Sequence, residues 1–275
     1  MNGGSILATF LVVFRETLEA SLIVGIILTA LAKLNQRRFF PHVTASVVLA
    51  IMASVITGFV LATWTKSAQG NVQKMIEGSI SLLACSVLTY MVFWMNAQAR
   101  KMRSEMELRI EQAVTGGEYF AILTLPFLAV FREGAETVLF LKAVSIQNSG
   151  VVSLWGGLSG SLVAILLAYL LFVGGRKIPI RTFFKVTEYF ILLISAGLLA
   201  YGIHELEELG WISPIVYPVW NINHVLNEKQ GIGAFLKALF GYNGNPSLVE
   251  VTLYWMYLSI VFLLLKKPIK IISHL

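Results

Sequence analysis

The amino-acid sequence predicts an all-α integral membrane protein with seven transmembrane helices, built from two inverted three-helix repeats plus one additional C-terminal helix. Three observations lead to this prediction: an apolar composition, seven long apolar stretches and a charged motif that occurs twice. Of the 275 residues, 57% are hydrophobic and 13% are charged, and the mean hydropathy is +0.76. A soluble domain carries about 25% charged residues. The single cysteine excludes an intrachain disulfide and a metal cage built on cysteines.

Seven segments are long and apolar enough to cross a bilayer, which takes about 17–25 residues. They run roughly over 6–32, 43–65, 77–96, 119–142, 151–174, 186–204 and 249–265. The first six are joined by short connections, whereas 205–248 is longer. Within that longer segment, the apolar residues at 232, 235, 236, 239 and 240 follow helical spacing. They predict a short amphipathic helix at the membrane interface.

Lysine and arginine are unevenly distributed between the two predicted sides of the membrane. Fourteen of the 21 fall on one side, five fall on the other, and two lie within spans. The positive-inside rule therefore predicts an external N-terminus, a cytoplasmic C-terminus and an external 205–248 loop. The net charge of +6 is then a property of cytoplasmic loops, so no nucleic-acid partner is expected. No basic region precedes the first apolar stretch, and we expect no cleaved signal peptide.

A charged motif interrupts the first and fourth predicted spans. Phe-Arg-Glu-x-x-Glu occupies 14–19 and again 131–136, and 8 of 13 residues are identical between 10–22 and 127–139. A charge at the bilayer centre costs roughly 2.5–3.5 kcal/mol on insertion scales. Three charges in each of two spans therefore indicate a functional site. Salt bridges that only lock two helices together are the alternative interpretation.

The position of the two motifs predicts the repeat. The second motif lies three helices after the first, and an odd offset reverses the chain direction. We expect one membrane domain, 1–275, with repeat 1 over 1–118, repeat 2 over 119–204, the external loop over 205–248, and helix 7 with a cytoplasmic tail over 249–275. Stripes of small residues on predicted helices 2 and 5 favour close helix contact. Transporters with inverted repeats bind substrate near mid-membrane, at the repeat interface.

The motif residues have the chemistry of a cation site. On a helix, Glu16 and Glu19 share a face, and Arg15 can pair with Glu19. The same relations hold in the second copy for Arg132, Glu133 and Glu136. Four glutamates and two arginines give a formal charge of minus two, and we assign the arginines a supporting role. Carboxylate oxygens prefer hard ions such as ferric iron, manganese, magnesium or calcium, and they also accept ferrous iron.

Other acidic residues are candidates for the ends of a transport route. Glu77 and Glu188 match at an offset of 111 residues and are expected near opposite membrane surfaces. A carboxylate that reaches the interface without a transport role is the alternative for each. Glu205, Glu207 and Glu208 follow His204 at the outer end of predicted helix 6. They are a candidate collecting site for cations, and a solvated helix end is the competing interpretation.

The paired motifs in the first and fourth of seven helices resemble those of the high-affinity, oxidase-dependent iron permeases of fungi and bacteria. The resemblance covers nearly the whole chain and includes His204-Glu-Leu and Gly210-Trp211. It implies iron uptake across the plasma membrane, or the bacterial inner membrane, with iron as the transported substrate and no permanent cofactor. It also implies that the four motif glutamates hold the metal. In the family a partner oxidises ferrous iron and hands over ferric iron.

That family pattern also defines the expected partners. They are membrane lipid, the iron ion and an extracytoplasmic oxidase or iron-binding protein. We expect a transporter and not an enzyme. The rival is an intramembrane metalloenzyme with a carboxylate-bridged di-iron centre, which normally includes a Glu-x-x-His pair; no such pair lies in a predicted span. A further alternative is a transporter of another divalent or heavy metal, or of a small cation, on the same plan.

Overall fold

The computed structural model describes residues 3–98, 102–117, 119–147, 153–172, 180–228 and 230–266, and these ranges contain helices and no strand. The α-helices are α1 Gly3–Lys33, α2 Phe40–Lys66, α3 Gly70–Gln98, α4 Met102–Thr115, α5 Tyr119–Gln147, α6 Leu154–Phe172, α7 Ile180–Glu208, α8 Gly231–Phe240 and α9 Leu248–Lys266. A short 3-10 turn, Arg37–Phe39, precedes α2. The all-α prediction is confirmed over this part of the chain. The predicted tail beyond 266 lies outside the described residues.

The apolar helices make this a multi-pass membrane protein. Within the described ranges, five stretches are long and apolar enough to span: Arg37–Thr65, Gly70–Met95, Leu154–Phe172, Val186–Glu208 and Leu248–Lys266. Helices α1 and α5, of 31 and 29 residues, are as long as the others. They are not among these five stretches because the three charges of the motif interrupt the apolar sequence of each helix. Length alone would let both cross a bilayer about 30 Å thick.

Small residues set how closely the helices approach. On α6, Gly156, Gly160, Ala164 and Ala168 are buried, and a Cβ atom at Gly160 would lie 2.8 Å from the carbonyl oxygen of Phe10 on α1. On α2, Ser46, Ala50 and Ser54 are buried, and a Cβ atom at Gly134 on α5 would collide with the Ser54 hydroxyl. The predicted contact role of both stripes is therefore confirmed. Their opposite faces are apolar and exposed, as a lipid environment requires.

The main helix pairs are α1 with α6, α2 with α5 and α3 with α7, and α1 also crosses α5. The first two pairs are parallel. Gly156 and Gly160 on α6 follow Ile6 and Phe10 along α1. Ser54 and Gly58 on α2 likewise face Gly134 and Val138 in turn along α5. Each motif helix therefore has one parallel neighbour with a small-residue surface.

The third pair, α3 with α7, is antiparallel. Gly78 on α3 lies against Glu205 on α7, whereas Leu82, one turn later on α3, lies against Gly202, earlier on α7. This brings the start of α3 to the end of α7. The third pair thus differs in direction from the first two.

Helix α4 was not predicted, because the sequence analysis treated 97–118 as a connection. Its apolar residues Met106, Ile110 and Ala113 form a short stripe that packs with Ile23 and Ile27 of α1. At the end of α1, the Lys33 Nζ atom lies 3.1 Å from Glu107 Oε1. A criterion based on long apolar stretches misses this helix, since it is 14 residues long and rich in charge.

The amphipathic helix predicted within 205–248 is present as α8. Its residues Ala238 and Leu239 are buried, and it packs on α1 and α7. A Cβ atom at Gly4 of α1 would lie 2.5 Å from Phe235 Cα, so the start of α1 is in close contact with α8. We call this end of the bundle, where α1 begins and α7 ends, the α8 end, and the opposite end the α4 end.

Candidate metal site

The two motif copies meet near the middle of α1 and α5. Carboxylate oxygens of Glu16, Glu19 and Glu133 all lie within 4.8 Å of one another. The first two belong to α1 and the third to α5, so neither helix forms the cluster alone. Because α1 and α5 each have about the length of a span, the cluster is close to the expected midplane.

Both copies form the predicted ion pair one turn apart. The Arg15 Nε atom lies 3.1 Å from Glu19 Oε1, and the Arg132 Nε atom donates a hydrogen bond of 2.8 Å to Glu136 Oε1. Arg15 Nη1 also lies 3.6 Å from Glu16 Oε1. Each arginine thus sits beside a carboxylate of its own helix, as an (i, i+4) spacing predicts.

Aromatic rings precede each arginine in the same way. Phe10 stacks on Phe14 with ring centroids 5.7 Å apart, and Phe127 stacks on Phe131 at 5.8 Å. The two copies therefore share local structure over more than two helical turns. Their environments differ, because the Arg132 guanidinium also lies over the Trp94 ring of α3, 5.0 Å from its centroid.

The carboxylates of the cluster are buried, and the described residues around them leave several of their oxygens without a hydrogen bond. Among the residues that the structure describes, neither oxygen of Glu16 has a hydrogen-bond partner, and the same is true of Glu19 Oε1 and Glu133 Oε2. Glu19 Oε1 is close to Arg15 as an ion pair without hydrogen-bond geometry. Buried polar atoms are normally paired, because an unpaired one loses its hydration without compensation. Several such oxygens around one point could coordinate a cation.

The fourth motif glutamate takes a different position. Glu136 is bonded to Arg132 and does not belong to the group of three carboxylates within 4.8 Å. Its second oxygen, Oε2, is buried without a hydrogen-bond partner. The sequence predicts that four carboxylates converge, and the structure places three of them together and Glu136 beside its arginine.

Apolar side chains enclose the cluster along the bundle axis. Towards the α8 end, Val12 of α1 and Phe140 of α5 belong to one buried core cluster. Towards the α4 end, Ile23 and Ile27 of α1 pack with Ile122 of α5 in another. The carboxylates therefore lie between two apolar layers, so a low dielectric surrounds them and strengthens their interaction with a cation.

Glu77 lies at the α8 end. Its Oε2 atom accepts a hydrogen bond of 3.1 Å from the Tyr201 hydroxyl, and its Oε1 atom accepts one of 2.8 Å from the Gln73 amide. Glu188 is half-buried. It lies earlier on α7, and a rise of about 1.5 Å per residue places it about 25 Å along the helix from Glu205. The structure thus places the two matched glutamates towards opposite ends of the bundle.

The three glutamates after His204 have different neighbours. Glu205 is buried. Glu208 Oε2 lies 2.7 Å from the Lys74 ammonium of α3. Glu207 Oε1 accepts a hydrogen bond of 2.8 Å from the Ser247 hydroxyl. The helix end is therefore more ordered than a solvated terminus, since each of the latter two carboxylates is fixed to another element.

The sequence analysis missed Glu250. Ligand atoms of His204, Glu207 and Glu250 lie within 4.8 Å of one another, and His204 Nδ1 is 3.0 Å from Glu250 Oε1. The sequence does contain a local pattern that could have identified Glu250. Ser247 directly precedes the apolar α9 and Glu250 lies in its first turn. The two residues form a capping box, in which each side chain accepts a hydrogen bond from the other's backbone NH.

A polar cavity of about 280 Å³ lies at the α8 end. Its lining includes Gln147, Tyr201, His204, Glu205, Glu208 and Glu250. Gln147 ends α5, the helix that carries the second motif. The cavity and the central cluster are therefore joined by one helix, with Phe140 and Val144 of the apolar layer between them.

Comparison with known proteins connects this geometry to a function. The model of the Iron permease FTR1 family matches residues 6–272, which include both motif helices. The ferrous iron permease EfeU of Yersinia pestis is 34% identical over 261 residues, covering 94% of this chain and 93% of that protein. The ferrous iron permease EfeU of Escherichia coli O6:H1 is 32% identical over 251 residues, covering 90% and 91%.

No solved structure matches this chain significantly, so the assignment depends on sequence similarity together with the arrangement of the motif helices. The family match and the relatives both cover nearly the full length, and the relatives are named as permeases. A multi-pass helical protein with two Arg-Glu-x-x-Glu copies, matched over nearly its full length in this way, belongs to the Iron permease FTR1 family.

Proposed function

We propose that the chain imports iron across the plasma membrane, or the bacterial inner membrane, through a mid-membrane site formed by the four motif glutamates. One observation carries the proposal. Carboxylates from both motif copies converge in the buried centre, and several of their oxygens have no hydrogen-bond partner. A cation compensates the burial of these oxygens. The relatives are named as iron permeases, which supports iron as the cargo and a transporter in preference to an enzyme.

The proposed transporter has seven spans arranged as two inverted repeats. Helices α1, α2 and α3 correspond to α5, α6 and α7, and α9 is the additional span. The contact of α1 with α6 is then equivalent to that of α5 with α2, and both are parallel contacts between a motif helix and a small-residue stripe. Such symmetry supports alternating access, in which the site opens first to one side and then to the other.

In the proposed orientation the α8 end is extracytoplasmic and the α4 end is cytoplasmic. The excess of basic residues on the α4 side supports this assignment through the positive-inside rule. Iron then arrives at the α8 end past Glu77, Glu205, Glu207 and Glu208. It leaves towards the cytoplasm past Glu188. The enclosing apolar layers separate the central site from both ends, as an alternating-access cycle requires.

The proposed cargo in the central site is ferric iron, delivered after a partner has oxidised ferrous iron. An all-carboxylate ligand set is hard and favours a small, highly charged ion. The relatives are named ferrous iron permeases, and ferrous iron is the alternative cargo, since carboxylate oxygens also accept it. The two arginines reduce the net negative charge of the cluster and hold Glu19 and Glu136 in place.

Uptake of labelled iron tests the proposal. Cells that express Glu16→Ala or Glu133→Ala are expected to lose at least about nine-tenths of the uptake of wild-type cells, since loss of one ligand or its support typically weakens a metal site about 10–100-fold. Glu105→Gln is the matched control, because Glu105 is exposed on α4 and remote from the cluster. Normal uptake by either alanine variant at normal expression would contradict the proposed site.

A further inference from the structure

We infer that the α8 end carries a second metal site, formed by His204, Glu207 and Glu250, that binds a divalent transition-metal ion. We call it the outer site. Its metal binding stands independently of transport through the central cluster, and only its role in uptake rests on the proposed function. Its ligand set differs from that of the central cluster because it includes an imidazole nitrogen.

The geometry allows one ion to reach all three side chains. Their ligand atoms lie within 4.8 Å of one another. Nitrogen and oxygen ligands of such metals lie about 2.0–2.2 Å from the ion, so two ligands of one ion are at most about 4.4 Å apart. Small side-chain movements therefore convert the observed arrangement into a coordination shell. Two of the ligands come from the end of α7 and the third from the first turn of α9.

The ligands are held in place by neighbouring groups. Glu250 is 3% exposed, its Oε1 atom accepts a hydrogen bond from the Ser247 backbone NH, and its Oε2 atom accepts one from the Asn243 amide. The Ser247 hydroxyl, which caps α9, also donates to Glu207. Groups of this kind orient metal ligands and raise affinity. One residue, Ser247, thus fixes both carboxylates of the outer site.

A second observation, independent of the cluster, points to a ligand in the same cavity. The Gln147 side chain is buried, and its Oε1 atom has no hydrogen-bond partner in the part of the chain that the structure describes. It lines the cavity together with His204 and Glu250. A buried amide oxygen without a partner is costly. Water bound to a metal ion in this cavity would donate the missing hydrogen bond.

The donor set determines the class of ion. One imidazole with two carboxylates suits Fe²⁺, Co²⁺ and Zn²⁺, whereas carboxylates alone favour harder ions. His204 contacts a carboxylate with each ring nitrogen, Glu250 through Nδ1 at 3.0 Å and Glu208 through Nε2 at 3.3 Å. An ion at the outer site replaces one of these contacts. The donor set of the outer site thus suits a divalent transition metal, whereas that of the central cluster suits a harder ion.

Titration of the full-length purified protein with Co²⁺ tests the outer site directly. The central cluster is disabled by Glu16→Gln with Glu133→Gln, and binding is followed by calorimetry and by the visible absorption of Co²⁺. We expect one Co²⁺ per chain in this background. His204→Gln and, separately, Glu207→Gln should each weaken binding at least about tenfold. His224→Gln is the control, because His224 is exposed in the loop between α7 and α8.

Two outcomes would overturn the inference: no Co²⁺ binding in the background with the disabled central cluster, or binding that neither His204→Gln nor Glu207→Gln weakens. Thermal unfolding of each variant verifies that it is folded, and the two substitutions serve as independent checks. Failure of the proposed function is distinguishable. Iron uptake that survives the Glu16 and Glu133 substitutions would reject the transport proposal and leave the Co²⁺ result unaffected.

Discussion

The two copies of the motif have nearly the same sequence and different surroundings. The Arg15 side chain is 4% exposed and the Arg132 side chain is 45% exposed. Arg15 lies between two carboxylates of its own helix, whereas Arg132 has Glu136 on one side and the Trp94 ring on the other. Identical local structure thus leads to one fully enclosed half-site and one half-site that reaches the surface.

The asymmetry has a physical meaning in the proposed cycle. Two halves related by inversion cannot both face the same side of the membrane in one conformation. The copy on α1 supplies two of the three converging carboxylates, and the copy on α5 supplies one. In alternating access the two copies would exchange these environments. The same motif thus gives each helix the same local ion pair, while the packing around each helix determines how exposed that pair is.

The largest difference in stability is expected between the alanine variants of the two motif arginines, Arg15 and Arg132. Arg15→Ala leaves Glu16 and Glu19 buried without their counter-charge, and breaking a buried ion pair in this way costs about 3–5 kcal/mol. Arg132→Ala should cost much less, because nearly half of its side chain is exposed. The unfolding midpoint of the purified proteins in detergent measures the difference. Arg109→Ala, at an exposed position on α4, is the control, and equal losses for the two motif arginines would contradict this account.

The next largest difference, in iron affinity, is expected between the glutamine variants of Glu19 and Glu136. Glu19 belongs to the converging group, so Glu19→Gln should lower equilibrium iron binding at least about tenfold. Glu136→Gln should reduce it less, because Glu136 is bonded mainly to Arg132. Both substitutions preserve side-chain size. Equal losses of affinity would mean that all four glutamates coordinate the ion equally in the conformation that binds it.

A smaller difference in stability is expected between alanine variants at the two close helix contacts, α6 with α1 and α5 with α2. Gly160→Ala brings a methyl group against the backbone of α1, which cannot rotate away, and overpacking of this kind typically costs about 1–3 kcal/mol. Gly134→Ala meets only the Ser54 side chain, so Ser54→Gly should restore its stability. The same substitution of Ser54 should not help Gly160→Ala. Unfolding midpoints of the single and double variants test this, and failure of the rescue would reject the proposed contact.

The smallest effect is expected at Trp94. Trp94→Leu removes the contact of the indole ring with the Arg132 guanidinium, which is worth about 0.5–2 kcal/mol. The loss should disappear in an Arg132→Ala background, because the partner is already absent. A double-mutant cycle on thermal stability measures this coupling. An unchanged effect of Trp94→Leu in that background would show that Trp94 stabilises the fold in another way.

Local sequence patterns predicted much of the fold. The spacing of Arg15 with Glu19 and of Arg132 with Glu136 identified ion pairs that the structure contains. Apolar periodicity identified α8, and small-residue spacing identified the contact faces of α2 and α6. These features are local, since each depends on residues within a few turns of one helix. They could therefore be predicted without knowledge of neighbouring helices.

Features that depend on several helices escaped prediction. Helix α4 was missed because its stability comes from packing Ile110 and Ala113 against α1 and not from a long apolar stretch. Glu250 was missed because it is close to His204 only after α9 packs on α7. The sequence also could not tell that Glu136 would stand apart from the other three glutamates. That difference follows from how α5 crosses α1.

The central claim is that the two copies form one cation site and not two. Equilibrium binding of labelled iron to purified protein tests it most directly, with His204→Gln present throughout to disable the outer site. Removing either half, by Glu16→Gln with Glu19→Gln or by Glu133→Gln with Glu136→Gln, should abolish binding of a single ion per chain. If each half-disabled protein instead kept tight binding, at full or half stoichiometry, the copies would be independent sites and the account would be contradicted.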